Sequence, residues 1–180
     1  MAGTAAAHAI KPLFSAEQIA TRVEELALGV AALRLEDPVI VGVLQGSVVF
    51  AADLLKALNL LGLRPEIDFL QLASYGDGAQ SSGKVVILRD VATPLQGRDV
   101  VIADDILDTG RTLSFAKAMF KERGARSVRL CVLLDKQVPR AVDVTPDLVG
   151  FSCPPVFVVG YGMDLAGDYR ELPFIGEIEQ

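Results

Sequence analysis

Histidine is nearly absent from this sequence: the one copy, His8, sits in an Ala-rich stretch near the start. Any general base is therefore a carboxylate or a lysine rather than an imidazole. Cysteine is almost as scarce. Cys131 lies in an apolar run and Cys153 precedes Pro154-Pro155. Two such cysteines suit neither a disulfide scaffold nor a zinc site, and Cys131 reads as a small core residue. Basic residues are outnumbered, 17 against 23 acidic, for a net charge of −6. That balance disfavours a nucleic-acid partner. Long apolar runs are missing as well. The longest candidate, Val39 to Leu63, is interrupted by Gln45, Asp53 and Lys56, and a bilayer span needs about 20 apolar residues. No basic segment precedes an apolar core at the N-terminus, so no signal peptide and no membrane partner are expected, and the cytoplasm is the expected location. Neither Gly-x-x-x-x-Gly-Lys-Ser/Thr nor Gly-x-Gly-x-x-Gly occurs, which argues against a nucleotide triphosphatase or a dehydrogenase.

What remains is a chain of 180 residues, 51% hydrophobic and 22% charged. That suits one globular domain over residues 1–180 with a sizeable core. Ser15-Ala-Glu-Gln18 is a capping-box pattern ahead of Ile19, Val23, Leu26 and Val30 at helical spacing. Asp37-Pro38 ends that helix. Val39 to Leu44 is apolar throughout, as in a strand covered on both faces. Gln45-Gly46-Ser47 reads as a turn and Val48 to Leu61 as a second helix. Ile67 to Tyr75 and Val85 to Leu88 read as an antiparallel strand pair around a polar, Gly-rich loop, Gly76 to Gly83, expected to be mobile. A strand from Val100 to Ala103 precedes a helix from about Thr112 to Arg123, capped by Gly124. Strands at Ser127 to Leu134, Leu148 to Phe151 and Val156 to Val159 follow, and the tail from Gly160 reads as irregular. Strands alternating with helices predict an α/β fold with a mainly parallel sheet, and ligands in such sheets sit at the carboxyl ends of strands.

Three turns at such ends carry chemistry. After Val100 to Ala103 come Asp104, Asp105 and Asp108, then Thr109-Gly110-Arg111-Thr112 and a helix. Small residues opening a helix present free N–H groups at the positive end of the helix dipole, which is a phosphate site. Three acids beside a phosphate repel it unless they face something else, such as sugar hydroxyls or a metal ion. A diol and a phosphate on one ligand mean a ribose 5-phosphate. The other turns are Leu44-Gln45-Gly46-Ser47 and Asp135-Lys136. A fourth segment is Phe157-Val-Val-Gly-Tyr-Gly-Met-Asp164, ending at Arg170-Glu-Leu-Pro173. Taken singly, each has a plain alternative: solvated acids, a tight turn, a lysine capping a strand, a core phenylalanine.

In this order the segments resemble the type I phosphoribosyltransferases, and among them the hypoxanthine-guanine branch, over roughly Val39 to Ile175. The resemblance implies a parallel sheet flanked by helices, a flexible active-site loop, and a small hood formed from the N- and C-terminal segments. It implies purine salvage: transfer of the 5-phosphoribosyl group from phosphoribosyl pyrophosphate (PRPP) to hypoxanthine or guanine, giving IMP or GMP. It gives Leu44, Gln45 and Gly46 to the pyrophosphate loop, which in the family often contains a cis peptide, and Arg170 to the same pyrophosphate. Ser74 and Tyr75 start the flexible loop. Asp104 and Asp105 hold the ribose hydroxyls, Asp108 faces purine N7 as the catalytic base, and Thr109, Gly110, Arg111 and Thr112 cradle the 5-phosphate. Lys136 donates to the 6-oxo group, Phe157 stacks on the base, and Val158 meets its exocyclic edge. Asp164 is linked to Mg²⁺, with Asp104 and Asp105 acting on the metal indirectly. The implied partners are PRPP, a purine base and further copies of the chain, as a homodimer or homotetramer.

Three positions depart from the family pattern. Asp104 stands where Glu is usual, which leaves a xanthine-preferring enzyme open. Gln45 stands where Lys is frequent, and Leu165 where an aromatic is common. A regulator that keeps the fold and binds RNA or DNA is the alternative of another class. The acidic charge and the presence of Lys136, Phe157 and Asp164 argue against it.

Overall fold

The computed structural model describes residues 9–75 and 84–178, without the side chains of Ser74, Tyr75 and Lys84. The loop expected at Gly76 to Gly83 and the residue His8 lie outside that description. Strand β1 (Ile10–Phe14) leads into helix α1 (Ala16–Ala32). The capping box forms as the sequence predicts: the Gln18 amide donates to the Ser15 hydroxyl, and the Ser15 amide donates to Gln18 Oε1 at 2.8 Å. Ile19, Val23, Leu26, Ala27 and Val30 make the buried stripe of α1, the spacing of one face of a helix.

The elements that follow are β2 (Val39–Leu44), α2 (Val48–Leu60), β3 (Glu66–Tyr75), β4 (Lys84–Arg89), β5 (Asp99–Leu107), α3 (Arg111–Glu122), β6 (Ser127–Lys136), β7 (Leu148–Cys153), β8 (Val158–Val159) and β9 (Ile175–Ile178). Six strands form one sheet in the order β4-β3-β2-β5-β6-β7. All its pairings are parallel except β3 with β4. Among the described residues no helix is long and apolar enough to cross a membrane.

The period-two geometry of strands divides the central residues between two cores. Ile40, Val101, Ala103, Cys131 and Leu133 pack with α1 and α2. Val39, Val41, Val100, Ile102 and Val132 pack with α3. The crossovers after β2 and β5 therefore run over opposite faces and move away from each other. A crevice opens where they diverge, at the carboxyl ends of these two strands. The site residues gather there.

Three boundaries correct the sequence reading. Strand β5 runs on to Leu107 instead of stopping at Ala103, so Asp104 and Asp105 are strand residues and not loop residues. Pairing with β6, from Asp99↔Ser127 to Leu107↔Asp135, supplies the partner that two consecutive acids do not predict. The strand expected at Val156 to Val159 is only Val158–Val159. The tail expected to be irregular contains β9, which pairs with both β1 and β8 in a second, three-stranded sheet. That sheet joins the N- and C-terminal segments. Phe14 at the end of β1 stacks on Phe151 of β7, ring centroids 4.3 Å apart, and ties it to the main sheet.

Candidate active site

A cavity of about 250 Å³ lies at the crevice, lined by Gly46, Asp105, Ile106, Asp108, Lys136, Phe157, Val158, Met163, Asp164 and Arg170. Four separate stretches of chain meet there. A larger apolar cavity of about 560 Å³ lies between α1, α2 and the tail. It shares Arg170 but contains none of the acids of β5, so the chemistry belongs to the smaller one.

The floor is set by close backbone packing. The Leu44-Gln45 peptide is cis. A Cβ on Gly46 would fall 1.9 Å from Asp105 Oδ2, and one on Gly162 would fall 2.2 Å from the Gly46 carbonyl oxygen. Gly162 also has φ +99°, where other residues are strained. The turn after β2, the end of β5 and the tail are thus stacked with no room for side chains between them. The Ser47 hydroxyl donates to Val43 O at 2.6 Å and closes the turn from below.

Asp104 is 6% exposed. Burial, and then the charge of neighbouring Asp105, push its carboxyl well above the usual range. Burial also raises Asp105, while Arg170 and a hydrogen bond with Asp104 pull it back. Two adjacent carboxyls in this setting resist double ionisation and suit hydroxyl groups or a cation brought by a ligand. Asp108, past the end of β5, is 45% exposed, and its Oδ2 accepts from Lys136 Nζ at 3.3 Å. Lys136 is the last residue of β6. The acid and the lysine that the resemblance sets at neighbouring positions of a purine, N7 and the 6-oxo group, thus contact one another in the free protein.

Helix α3 begins at Arg111 behind Gly110, whose φ is +81°, and no side chain caps it. Its first amides lack intrahelical partners, as at any helix start. Thr109, beside them, is exposed and Gly110 is buried. Thr112 sits in the first turn with Arg111.

The tail supplies the opposite wall. Phe157 is 44% exposed at the cavity, and Val158 is buried in β8. Arg170 is a junction: it donates to Gly162 O at 2.6 Å and to Gln45 Oε1 at 3.3 Å, and it pairs with Asp164 at 2.8 Å. Asp164 also accepts from the Gly167 amide at 2.7 Å. The pyrophosphate-loop and tail residues singled out in the sequence are thereby joined. Ser74 and Tyr75 end β3, with their side chains outside the description.

Sequence reasoning missed Ile106 and Met163 of the lining, which follow apolar patterns and carry no chemical signal. It also missed the Gly46–Gly162 stacking. The spacing Gly160-Tyr-Gly162, both glycines at positive φ, was the available clue.

Comparison with known proteins agrees with this geometry. Residues 10–165 match the phosphoribosyl transferase domain family. The hypoxanthine-guanine phosphoribosyltransferase of Streptococcus agalactiae is 44% identical over 171 residues, 94% of this chain and 93% of that protein. The Bacillus subtilis protein of the same name is 42% identical over 170 residues, again 94% of this chain and 93% of its own. The Bacillus anthracis hypoxanthine-guanine phosphoribosyltransferase, solved with a HEPES molecule in the active site, superposes with a TM-score of 0.88 at 41% identity, covering 95% of this chain and 100% of that one. The chain belongs to the phosphoribosyltransferase family, in its hypoxanthine-guanine branch.

Proposed function

We propose that this protein transfers the 5-phosphoribosyl group from PRPP to hypoxanthine or guanine, releasing pyrophosphate and IMP or GMP, as a single domain over residues 1–180 in the cytoplasm. One observation carries the reading: Asp105, Asp108, Lys136, Phe157, Asp164 and Arg170, from separate stretches of chain, line one cavity of about 250 Å³. In this reading Asp104 and Asp105 hold the ribose hydroxyls, and Thr109 to Thr112 receive the 5-phosphate. The Gln45-Gly46 amides and Arg170 take the pyrophosphate. Displacement at the anomeric carbon leaves negative charge on that leaving group, and the Arg170 guanidinium is aimed to stabilise it.

The base lies on the Phe157 ring, with Val158 at its exocyclic edge. Lys136 has donors only, so it accepts a 6-oxo group and rejects a 6-amino group. Asp108 takes the proton that the attacking base loses. Entry of a base replaces the Lys136–Asp108 contact with one contact to each.

Magnesium suits this donor set when it rides on the substrate. It is usually held by one or two carboxylates together with phosphate oxygens and water, and among the described residues no three His, Cys, Asp or Glu side chains gather to hold an ion. Asp164 would hold it, with Asp104 and Asp105 acting through the ribose. When bound, it would neutralise charge on the leaving pyrophosphate. Further copies of the chain, as a homodimer or homotetramer, belong to the same reading.

The test is direct. The protein is incubated with magnesium and PRPP, each base is offered in turn, and nucleotide is measured. IMP and GMP are expected. XMP alone would favour the xanthine-preferring alternative that Asp104 leaves open. No nucleotide from any base would overturn the reading.

A further inference from the structure

Past Lys136 the chain turns back over residues 137–144 before it reaches β7. Arg140 fixes this connection from within. Its Nη1 donates to Val144 O at 2.6 Å, and its Nη2 is paired with Asp135, the neighbour of Lys136. The two charged side chains are only 24% and 19% exposed. The outer side of the connection is tied to the phosphate loop. The Ala141 and Val142 amides both donate to Thr109 O, at 3.0 and 3.3 Å. Gly110 is packed so tightly that a Cβ there would fall 2.7 Å from Val142 O and 2.7 Å from Val144 Cγ1. A continuous chain of contacts thus runs from Lys136 through Asp135 and Arg140 to Thr109 and Gly110. Arg140 itself does not line the cavity.

We propose that Arg140 is a positioning residue that locks the 137–144 connection and so holds the base-facing Lys136 and the phosphate-facing Thr109 loop at one fixed separation. The inference rests on the phosphoribosyltransferase reading above. A nucleoside monophosphate is anchored at both ends. Its second anchor adds affinity in full only when the two protein sites stand at the separation the ligand spans. A loosened connection leaves each half-site able to bind its own fragment but weakens the ligand that must reach both. Arginine suits this task because its planar fork reaches a carboxylate and a carbonyl in different directions at once, which a lysine does not.

The test compares three ligands by calorimetry on the parent protein, Arg140→Ala, Arg140→Lys and Asp135→Asn. The ligands are IMP, which spans both sites, ribose 5-phosphate, which reaches one, and inosine, which reaches the other. Turnover of PRPP with hypoxanthine and the melting temperature are recorded alongside. In Arg140→Ala the IMP affinity is expected to fall about tenfold or more, while ribose 5-phosphate and inosine each lose less than about threefold. Arg140→Lys and Asp135→Asn are expected to show the same pattern at smaller size. They carry the test if Arg140→Ala does not fold. A merely structural role would lower the melting temperature without separating IMP from its fragments. IMP affinity within about threefold of the parent in every folded variant overturns the proposal. So does a loss for IMP that ribose 5-phosphate matches in proportion. A parent that binds no IMP and makes no nucleotide overturns the phosphoribosyltransferase reading as well; an active parent with indifferent variants removes only Arg140.

Discussion

Strand β5 carries two buried aspartates, Asp99 at its start and Asp104 in its second half, and the two are opposites. At its start, Asp99 is 5% exposed and accepts from the Glu36 amide at 2.8 Å, Arg126 Nε at 3.0 Å and the Ser127 hydroxyl at 2.7 Å. A further bond comes from Arg126 Nη2 at 2.5 Å. The Arg126 guanidinium holds the Asp99 carboxyl far below the usual range. Further along, among the described residues no arginine or lysine is bonded to Asp104, and burial drives its carboxyl up. Residue type and strand are the same, and both side chains are nearly closed to solvent; they differ in partner and in how deeply the surrounding protein encloses the carboxyl. The first end is finished when the chain folds. The second is left with an uncompensated acid, the kind of stored instability that is common where a ligand binds.

The largest expected effect tests the second end. Asp108→Asn should lower turnover by about 10²–10⁴, the usual worth of a general base, with PRPP still bound and the melting temperature unchanged. Steady-state kinetics with a thermal melt decide it. Unchanged turnover would remove Asp108 from the chemistry.

The first end should respond the other way. Asp99→Ala strands the Arg126 and Ser127 donors and the Glu36 amide, and is expected to cost about 2–3 kcal/mol of stability. That is below the roughly 3–5 kcal/mol of a fully buried pair, because Arg126 is 40% exposed. Catalysis well below the melting temperature should be unchanged. A loss of turnover without loss of stability in denaturant unfolding would place Asp99 in the site and erase the contrast.

The same contrast marks what could be read from the sequence. The capping box at Ser15 to Gln18 and the apolar runs of β2 and β6 are local signals, and the elements formed where they stood. Asp105, Asp108, Lys136, Phe157 and Arg170, picked out in the sequence by residue type and order, come together at one cavity. Strands β1 and β9 were not legible. Ile10–Phe14 contains Pro12 and Ile175–Ile178 is four residues long, so each becomes a strand only through tertiary pairing, β1 with β9 and β9 with both β1 and β8. The extension of β5 through Asp104 and Asp105 likewise depends on β6. The Gly46–Gly162 stacking and the Arg140 connection are tertiary contacts with no local pattern behind them.

A third change sharpens the comparison. Asp104→Asn removes the ionisable group that burial penalises while keeping its shape. The ligand-free protein is expected to gain about 1 kcal/mol, within the range typical when a strained functional residue is relaxed, and IMP affinity is expected to fall. Denaturant titration and calorimetry read the two arms. A variant less stable than the parent would show that Asp104 supports the fold as Asp99 does.

The smallest effect is in pH dependence. Asp99 has a lowered carboxyl, so its stabilisation is complete above the unfolded value of about 3.9 and is lost as pH falls below it toward the folded one. Asp104 has a raised carboxyl. Its penalty is absent below about 3.9, grows as pH rises from there to the folded value, and is level above it. Between roughly pH 4 and 7 the Asp99→Ala penalty should therefore stay level. Over the same window the Asp104→Asn advantage should shrink as pH falls. Denaturant unfolding of the parent and both variants across that window measures it. Asp105 complicates the second arm, since burial raises its carboxyl too while Arg170 lowers it. A residual slope in Asp104→Asn should then vanish in the double variant with Asp105→Asn. If the Asp104→Asn advantage is flat with pH, the buried acid is not held up in the free protein, and the two ends of β5 differ in position but not in electrostatics.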